Sequence, residues 1–460
     1  MKPRSLSWIA HAVDGRLVGA DGEVDGVATD TRTLPAGKPL FVAFKGEHFD
    51  GHSHVQAALE GGCVAALVAH SVAVAIPQII VDDTERALGR FAAAVQHERS
   101  TKVLAVTGSN GKTTVKTLLL SILQQMGGAY ANPGNRNNEI GLPLAVLDAP
   151  EDARFAVYEM GAGKPGDIAY LTAIARPDVA LVNNVASAHL ERMGSLLGVA
   201  ETKGAIYTTM AEDGVAVINA DDAFALYFQE HLHGRKSIRF GLDTHAEVSA
   251  RAIHAGLDGS HFTLVLPSGE VETTIALPGL HNVRNALAAA AMAHAVGATH
   301  EQIGAGLAAA EHVNGRLDAH HLSTGVVLID DSYNANPGSL AAAIETLSTC
   351  EGAAWLVLGD MRELGEDEAA LHAQGGSQAR RSGIARLYAL GALSAHAAAA
   401  FGDGGVSYPS HEALIAALQA DLHPGVTVLV KGSRGSAMDK IVKALLKRDA
   451  ESGKETTDAA

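Results

Sequence analysis

The hydrophobic positions of this chain follow two alternating rhythms. Short unbroken apolar runs read as strands buried on both faces, and longer stretches with apolar residues every three or four places read as helices with one covered side. In residues 1–99 the runs "LFVAF" (40–44), "CVAALVA" (63–69) and "QIIVDD" (78–83) predict strands, and "HSHVQAALEGG" predicts a short helix ended by glycine. A helix with Leu88, Phe91, Ala92 and Val95 on one side runs into the polar joint "QHERSTK". That joint sets a first boundary near residue 100.

The next region opens on "KVLAV", a buried strand, followed by a loop and a helix carrying Val115, Leu118, Leu119, Ile122 and Met126 on one side, ended by Gly127 and Gly128. "FAVYEM" (155–160), "VALVNNV" (179–185) and "GVAVINADD" (214–222) predict further strands. Strand–helix alternation of this kind implies a parallel sheet covered on both faces. From 247 to 278 the period changes, and "HFTLVLPSGEVETTIALPG" predicts a hairpin with its turn at 267–269. "HNVRNALAAAAMAHAVG" follows as a strong helix.

From about residue 314 one theme recurs three times, strand, polar loop, helix: "VVLIDDSYNANPGSLAAAIETL", "AWLVLGDMRELGEDEAALHAQ" and "TVLVKGSRGSAMDKIVKALL". This is the pattern of a dinucleotide-fold-like (Rossmann-like) domain, where ligands meet the carboxyl ends of the strands. The polar end "KRDAESGKETTDAA" predicts a disordered tail after about residue 447. The fold class is therefore α/β in three domains: a small α/β domain at 1–100, a central parallel-sheet domain at 101–313 and a Rossmann-like domain at 314–460.

Composition narrows the partners. The formal net charge of −16 argues against a nucleic-acid or anionic-membrane surface, while leaving room for a local basic pocket. The two cysteines, Cys63 and Cys350, have no metal-ligand spacing and read as reduced thiols of a cytoplasmic protein. The opening "MKPRSLSWIAHAVDG" lacks the sustained apolar core of a signal peptide, and no uncharged run reaches the roughly 18 residues needed to span a bilayer.

The loop between the first two central elements carries the clearest chemistry. "VTGSNGKTTVK" resembles a phosphate-binding loop, but Val106 stands where the GxxxxGK(S/T) form has its first glycine. Gly108, Ser109, Asn110 and Gly111 would turn their backbone N–H groups toward an anion at a helix N-terminus. Lys112 would reach the β- and γ-phosphates, and the hydroxyls of Thr113 and Thr114 follow, Thr113 placed to ligate Mg²⁺. Glu159 ends a strand at the same sheet edge and suits a metal ligand. His189 follows another strand end. Lys203 lies within a helix and by itself reads as a solvated lysine.

The spaced set "TGSNGKTTVK", "YEMGAGKPGDI", "NNVASAHLERMGS", "KGAIY", "INADD" and "LPGLHNVRNALAA" resembles the ATP-dependent Mur ligase family, whose members add amino acids or a dipeptide to a UDP-linked muramoyl peptide of the bacterial cell wall. "TDTRTLPAGKPLFVAFKGEHFDGH", "NPGNRNNEIGLP", "IDDSYNANPGSL", "VLGDMRELGE" and "LVKGSRGSAMD" are most similar to the branch that acts last, joining D-alanyl-D-alanine to UDP-N-acetylmuramoyl-tripeptide. The DNPR motif of the branch adding the third residue does not occur. In "KGSRGSAMD" the family more often has serine directly after the arginine, and glutamate where Asp439 stands.

The resemblance implies residue roles. The loop with Lys112 and Thr113 would bind ATP, and Thr113, Glu159 and His189 would hold two Mg²⁺ together with Lys203 carbamylated by CO₂. Asn282 and Asn285 would read the adenine, Asp331 would accept from the ribose hydroxyls, and Arg316 would reach the ATP phosphates from the third domain. Lys112, Lys203, His189 and Arg316 would form the catalytic set. Thr31, Arg32, Lys45 and Gly46 would bind the UDP, with Asn137 and Asn138 lining the peptide channel. Tyr333, Asn334, Asn336, Lys431 and Arg434 would face the incoming dipeptide. The implied partners are these small molecules, with no nucleic acid, no membrane insertion and a monomeric chain. The competing readings are another amino-acid ligase of the superfamily (third-residue-adding or folylpolyglutamate-type) and, in a different class, a nucleotide-dependent switch.

Overall fold

The computed structural model describes residues 1–187, 190–311 and 315–458. Along the first stretch run β1 (Arg4–Ser5), α1 (Leu6–Ala12), β2 (Arg16–Val18), β3 (Glu23–Val24), β4 (Gly26–Ala28), β5 (Pro39–Val42), α2 (Val55–Glu60), β6 (Ala65–Val68), β7 (Gln78–Ile80) and α3 (Thr84–Glu98). β2, β7, β6, β5 and β4 form one sheet in that order, parallel except for the β2–β7 pair.

The central stretch carries β8 (Lys102–Thr107), α4 (Lys112–Gln124), β9 (Ala129–Ala131), α5 (Gly141–Asp148), β10 (Phe155–Glu159), α6 (Asp167–Ala175), β11 (Val179–Val182), α7 (Leu190–Met193), α8 (Leu196–Thr209), β12 (Val215–Asn219), α9 (Ala225–Glu230) and β13 (Lys236–Phe240). Its six strands are all parallel, in the order β13-β12-β11-β8-β10-β9. Alternation of side chains across the strands explains the unbroken apolar runs. Val103, Ala105, Ala156, Tyr158, Ala180 and Val182 face one core, and Leu104, Val106, Phe155, Val157, Val179 and Leu181 face the other.

The first of these cores is continuous with the N-terminal region. Leu88, Phe91 and Val95 of α3 share it with Leu142 and Val146 of α5 and with Ile168, Leu171 and Ile174 of α6. α3, expected to end a separate domain, therefore packs directly on the central one.

The second core is closed by α4 and by a segment that departs from the predicted hairpin. β14 (Ser249–Gly256), β15 (Gly259–Leu266) and β16 (Gly269–Ile275) make a three-stranded antiparallel sheet, followed by α10 (Leu280–Ala295) and α11 (His300–Ala308). The β15–β16 turn is the predicted one, with Leu266 paired to Gly269. The partner strand β14 is half exposed, which masks its apolar alternation.

α11 lies so close to α4 that a Cβ on Gly306 would sit 2.4 Å from the Cα of Ile122, and the Ser121 hydroxyl donates to the Gly306 carbonyl at 2.6 Å. Gly306→Ala is therefore expected to destabilise the chain by about 2 kcal/mol, because backbone and not a movable side chain opposes the methyl. Thermal unfolding of the variant checks this, and an unchanged midpoint would contradict the packing.

The third stretch holds β17 (Asp318–His321), β18 (Val327–Asp331), α12 (Pro337–Ser348), β19 (Ala353–Gly359), α13 (Glu368–Arg381), β20 (Arg386–Leu390), α14 (Ser394–Phe401), β21 (Gly405–Tyr408), α15 (His411–Asp421), β22 (Val426–Lys431) and α16 (Asp439–Asp458). The sheet order is β17-β18-β22-β19-β20-β21, parallel apart from β17. The three predicted strand–loop–helix units are present, with two more strands and two helices between the second and third. α16 runs from Asp439 to Asp458. Met438, Ile441, Val442 and Leu445 bury one side of its beginning, and Lys443 pairs with Asp439 four residues back.

Candidate functional site

β8 ends at Thr107, and the chain turns through Gly108 and Gly111 before α4 begins at Lys112. Gly111 caps the helix with φ +77°, and a Cβ there would meet Asn285 Oδ1 at 2.3 Å and Asn183 Nδ2 at 2.6 Å. Glycine is required by both conformation and space. The loop is tied from below by asparagines at the end of β11. Asn184 Oδ1 accepts from the Asn110 N–H at 2.8 Å, and Asn183 and Asn184 donate to the Asn110 carbonyl. Ser109 bonds Ala186 in both directions. Loop, strand end and helix start therefore form one rigid cradle at the carboxyl edge of the sheet, where β10 and β11 flank β8.

Lys112 folds back to donate to the Gly108 carbonyl at 2.8 Å, and burial pushes its amine pKa down, Glu159 opposing and Arg316 adding to the shift. Thr113 donates to Glu159 Oε2 at 2.9 Å and accepts from Arg316 Nη2 at 3.1 Å. Glu159 is 3% exposed. Burial pushes its carboxyl up, but Lys112 and Lys116 and the hydrogen bonds from Asn137 and Thr113 together outweigh that and hold it below the ordinary carboxylate range. Lys203, 1% exposed in α8, is no solvated lysine. Burial first, and then the positive charge of Lys112, bring its amine down to about 7.

Lys112, Glu159 and Arg316 line one cleft of about 940 Å³ together with Ser109, Asn110 and Gly111 of the loop, while Thr113 and Lys203 are not among its lining residues. Its opposite wall comes from the third region. Arg316 crosses to Thr113 while its guanidinium lies 4.6 Å over the Tyr333 ring, with Arg434 over the same ring at 5.8 Å. Lys431, 2% exposed, donates to Asp331 at 2.5 Å and to the Asn334 carbonyl at 3.0 Å. Burial pushes Asp331 up against the pull of Lys431. Asn336 caps α12 and donates to Asn110 Oδ1 at 2.7 Å.

Several expected residues lie in the cleft but are engaged differently from the roles the resemblance implies. The amides of Asn282 and Asn285 bond each other, Pro278 O and Asn183. Lys431 and Asp331 face each other, and both ends of the Asn336 amide are held within the chain. Asn137 donates to Glu159 Oε1, and Asn138 accepts from the Gly141 N–H. Thr31, Arg32, Lys45 and Gly46 do not line this cleft. They follow β4 and β5 at the carboxyl edge of the N-terminal sheet, where Arg32 is paired with Asp30 and holds that carboxyl down at about 2. His189 lies outside the described residues.

Other groups in the cleft or buried behind it carry no mark in the sequence. Lys116, one turn beyond Thr113, bonds the Asn132 and Gly134 carbonyls and lies 3.4 Å from Glu159. His281 is pushed down to about 4 by burial, with Lys431 and Arg284 adding, so it is neutral at pH 7. Asn183 and Asn184 end "VALVNN" at the sheet edge shared with the loop, a position that could have marked them.

A hard cation fits the Thr113–Glu159 pair, since a hydroxyl and an ionised carboxylate beside a phosphate loop are oxygen donors of the kind Mg²⁺ takes with water and phosphate. Among the described residues no group of three or more His, Cys, Asp or Glu side chains forms a metal cluster.

Comparison with known proteins gives a consistent result. The Mur ligase middle domain family matches residues 106–293, and the Mur ligase glutamate ligase domain family matches residues 315–434. A UDP-N-acetylmuramoyl-tripeptide--D-alanyl-D-alanine ligase of Escherichia coli (strain K12) is 43% identical over 444 residues, covering 96% of this chain and 98% of the relative. A crystal structure of MurF from Acinetobacter baumannii superposes with a TM-score of 0.92 at 31% identity, covering 97% of this chain and 99% of that one. MurF of Thermotoga maritima, solved in complex with ADP, gives a TM-score of 0.84 at 26% identity, covering 93% and 98%.

Proposed function

The chain belongs to the Mur ligase family, and from that premise we propose that it joins D-alanyl-D-alanine to the terminal carboxylate of UDP-N-acetylmuramoyl-tripeptide, driven by ATP. One observation carries the reading: a nucleotide loop and a second domain's polar strand-end loops face each other across a single cleft, bridged by Arg316 on Thr113. A nucleotide switch has no need of such an acceptor wall.

A carboxylate is a poor acyl donor because an oxide would have to leave. Attack of its oxygen on the γ-phosphorus forms an acyl phosphate and breaks the bond to ADP. The dipeptide's neutral amine then attacks the carbonyl carbon, the C–O bond to phosphate breaks, and the amine's proton is lost. Lys112 and Arg316 place positive charge beside the transferring phosphoryl group. Thr113 and Glu159 would hold Mg²⁺, with His189 and a carbamylated Lys203 serving a second ion. Bound there, the metal supplies charge neutralisation at the phosphate oxygens. The low amine pKa of Lys203 supports the carbamate, since CO₂ adds only to the neutral form.

The domains divide at about 100 and 313. The N-terminal edge with Thr31, Arg32, Lys45 and Gly46 takes the UDP diphosphate, Asn137 and Asn138 lie along the peptide, and Tyr333 and Arg434 meet the dipeptide. Asn282 and Asn285 sit at the adenine end, and Asp331 at the ribose. We place the protein in the cytoplasm as a monomer. Cys63 and Cys350 are unpaired, and among the described residues no helix is long and apolar enough to cross a membrane.

Purified protein given ATP, Mg²⁺, UDP-N-acetylmuramoyl-tripeptide and D-alanyl-D-alanine is expected to release phosphate in step with a new UDP-linked pentapeptide, and only when both acceptor substrates are present. Equal phosphate release without them would sink the ligase reading.

A further inference from the structure

Asn336 sits where the third region meets the nucleotide loop, and the chain itself dictates the orientation of its amide. Its Oδ1 accepts from the Ser339 N–H at 2.9 Å as the cap of α12, while the Ser339 hydroxyl accepts from the Asn336 N–H at 3.0 Å. A backbone N–H can only donate, so the oxygen end must face Ser339 and the Nδ2 end must face outward. Nδ2 donates to Asn110 Oδ1 at 2.7 Å, 226 residues away in sequence. This in turn settles the amide of Asn110: its oxygen meets Asn336, and its own Nδ2, 3.3 Å from where a Cβ on Gly338 would stand, is left with no hydrogen-bond acceptor among the described residues, Asn110 and Gly338 both lining the cleft. The Asn110 backbone cannot drift, because Asn183 and Asn184 hold its carbonyl and N–H.

We propose that Asn336 is a positioning residue that acts through Asn110. It holds the Asn110 amide donor-side toward the phosphate site, so the nucleotide loop gains this donor only while α12 is docked on it. The acceptor domain thereby reports its seating to the phosphoryl donor before the acyl phosphate forms. The inference rests on the ligase reading for its meaning, but its geometry concerns nucleotide binding alone and can be tested there.

The test is a double-mutant cycle of Asn336→Ser and Asn110→Ala, read as affinity for a non-hydrolysable ATP analogue and as steady-state ligation. Serine still caps α12 but cannot reach Asn110. Each single variant is expected to weaken analogue binding and lower kcat by about tenfold, with the KM for D-alanyl-D-alanine unchanged, and the double variant to be no worse than either single. Asn336→Asp, which keeps the cap acceptor yet has no donor for Asn110, is expected to show the same loss at an unchanged thermal midpoint. Losses that multiply toward a hundredfold would overturn the proposal. So would full affinity in Asn336→Asp, or a raised dipeptide KM at normal kcat, which would make Asn336 a direct dipeptide contact. If the wild type binds the analogue but makes no amide, the ligase reading fails while the coupling is still read from the affinities.

Discussion

Replacing Lys112 with methionine is expected to lower ligation about a thousandfold while leaving the fold intact. The side chain is half-buried at the cleft, and among the described residues its Nζ makes one hydrogen bond, to the Gly108 carbonyl. Burial has already pushed the amine down, so the fold bears the desolvation of this cation, and methionine of similar length removes that cost. The loss falls on the reaction. In the proposed reaction negative charge develops on the phosphoryl oxygens beside Lys112, and removing one such donor costs two to three orders of magnitude, about 3–4 kcal/mol. Steady-state ligation with thermal unfolding in parallel checks both halves. Activity within a few-fold of wild type would exclude the loop as the ATP site.

The second large effect lies at Lys203. Lys203→Ala is expected to lose at least a hundredfold in rate, with part of it restored by short carboxylates such as acetate, which place two oxygens where a carbamate would sit. The wild-type rate is expected to fall as pH drops through about 7, because the amine is then protonated and cannot take up CO₂. The sign for stability runs opposite to function. The folded-state pKa, about 7, lies below the ordinary 10.5. Between those values the unfolded chain holds a proton that the folded chain lacks, so stability rises with pH across that window and is lowest below it. Lys203→Met should thus melt higher than wild type, by a margin that grows as pH falls from 10.5 to about 7, while being nearly inactive. A variant that is both active and no more stable would remove Lys203 from the site.

The strand–loop–helix at Lys102–Gln124, the carboxylate at the end of β10 and the three similar units of the third region could all be read from the sequence. Unbroken apolar runs and glycine-bounded turns mark buried parallel strands and their active edge. Lys116 and Lys203 could not be found that way, since a lysine on an amphipathic helix looks the same whether its amine is in water or against a buried partner. The tie from Arg316 to Thr113 spans 203 residues and leaves no local trace. β20, α14, β21 and α15 went unread. β21 is short and half exposed, and α14 and α15 are rich in alanine, which blurs the boundary between apolar and polar faces.

The shared core of the first two regions has a consequence for how this chain can be rebuilt. α3 and the central helices α5 and α6 bury the same apolar residues, so trimming the protein at residue 100 would lay Leu142, Val146, Ile168 and Leu171 open to water. The third region is different. Among the described residues its two cores draw on residues from 317 onward, with only Leu257 of the central region packed at their edge. A chimera that exchanges everything after residue 314 with a relative thus cuts through contacts that are mostly polar. The third region is, in this sense, a detachable cassette, whereas the first two regions are inherited as one piece.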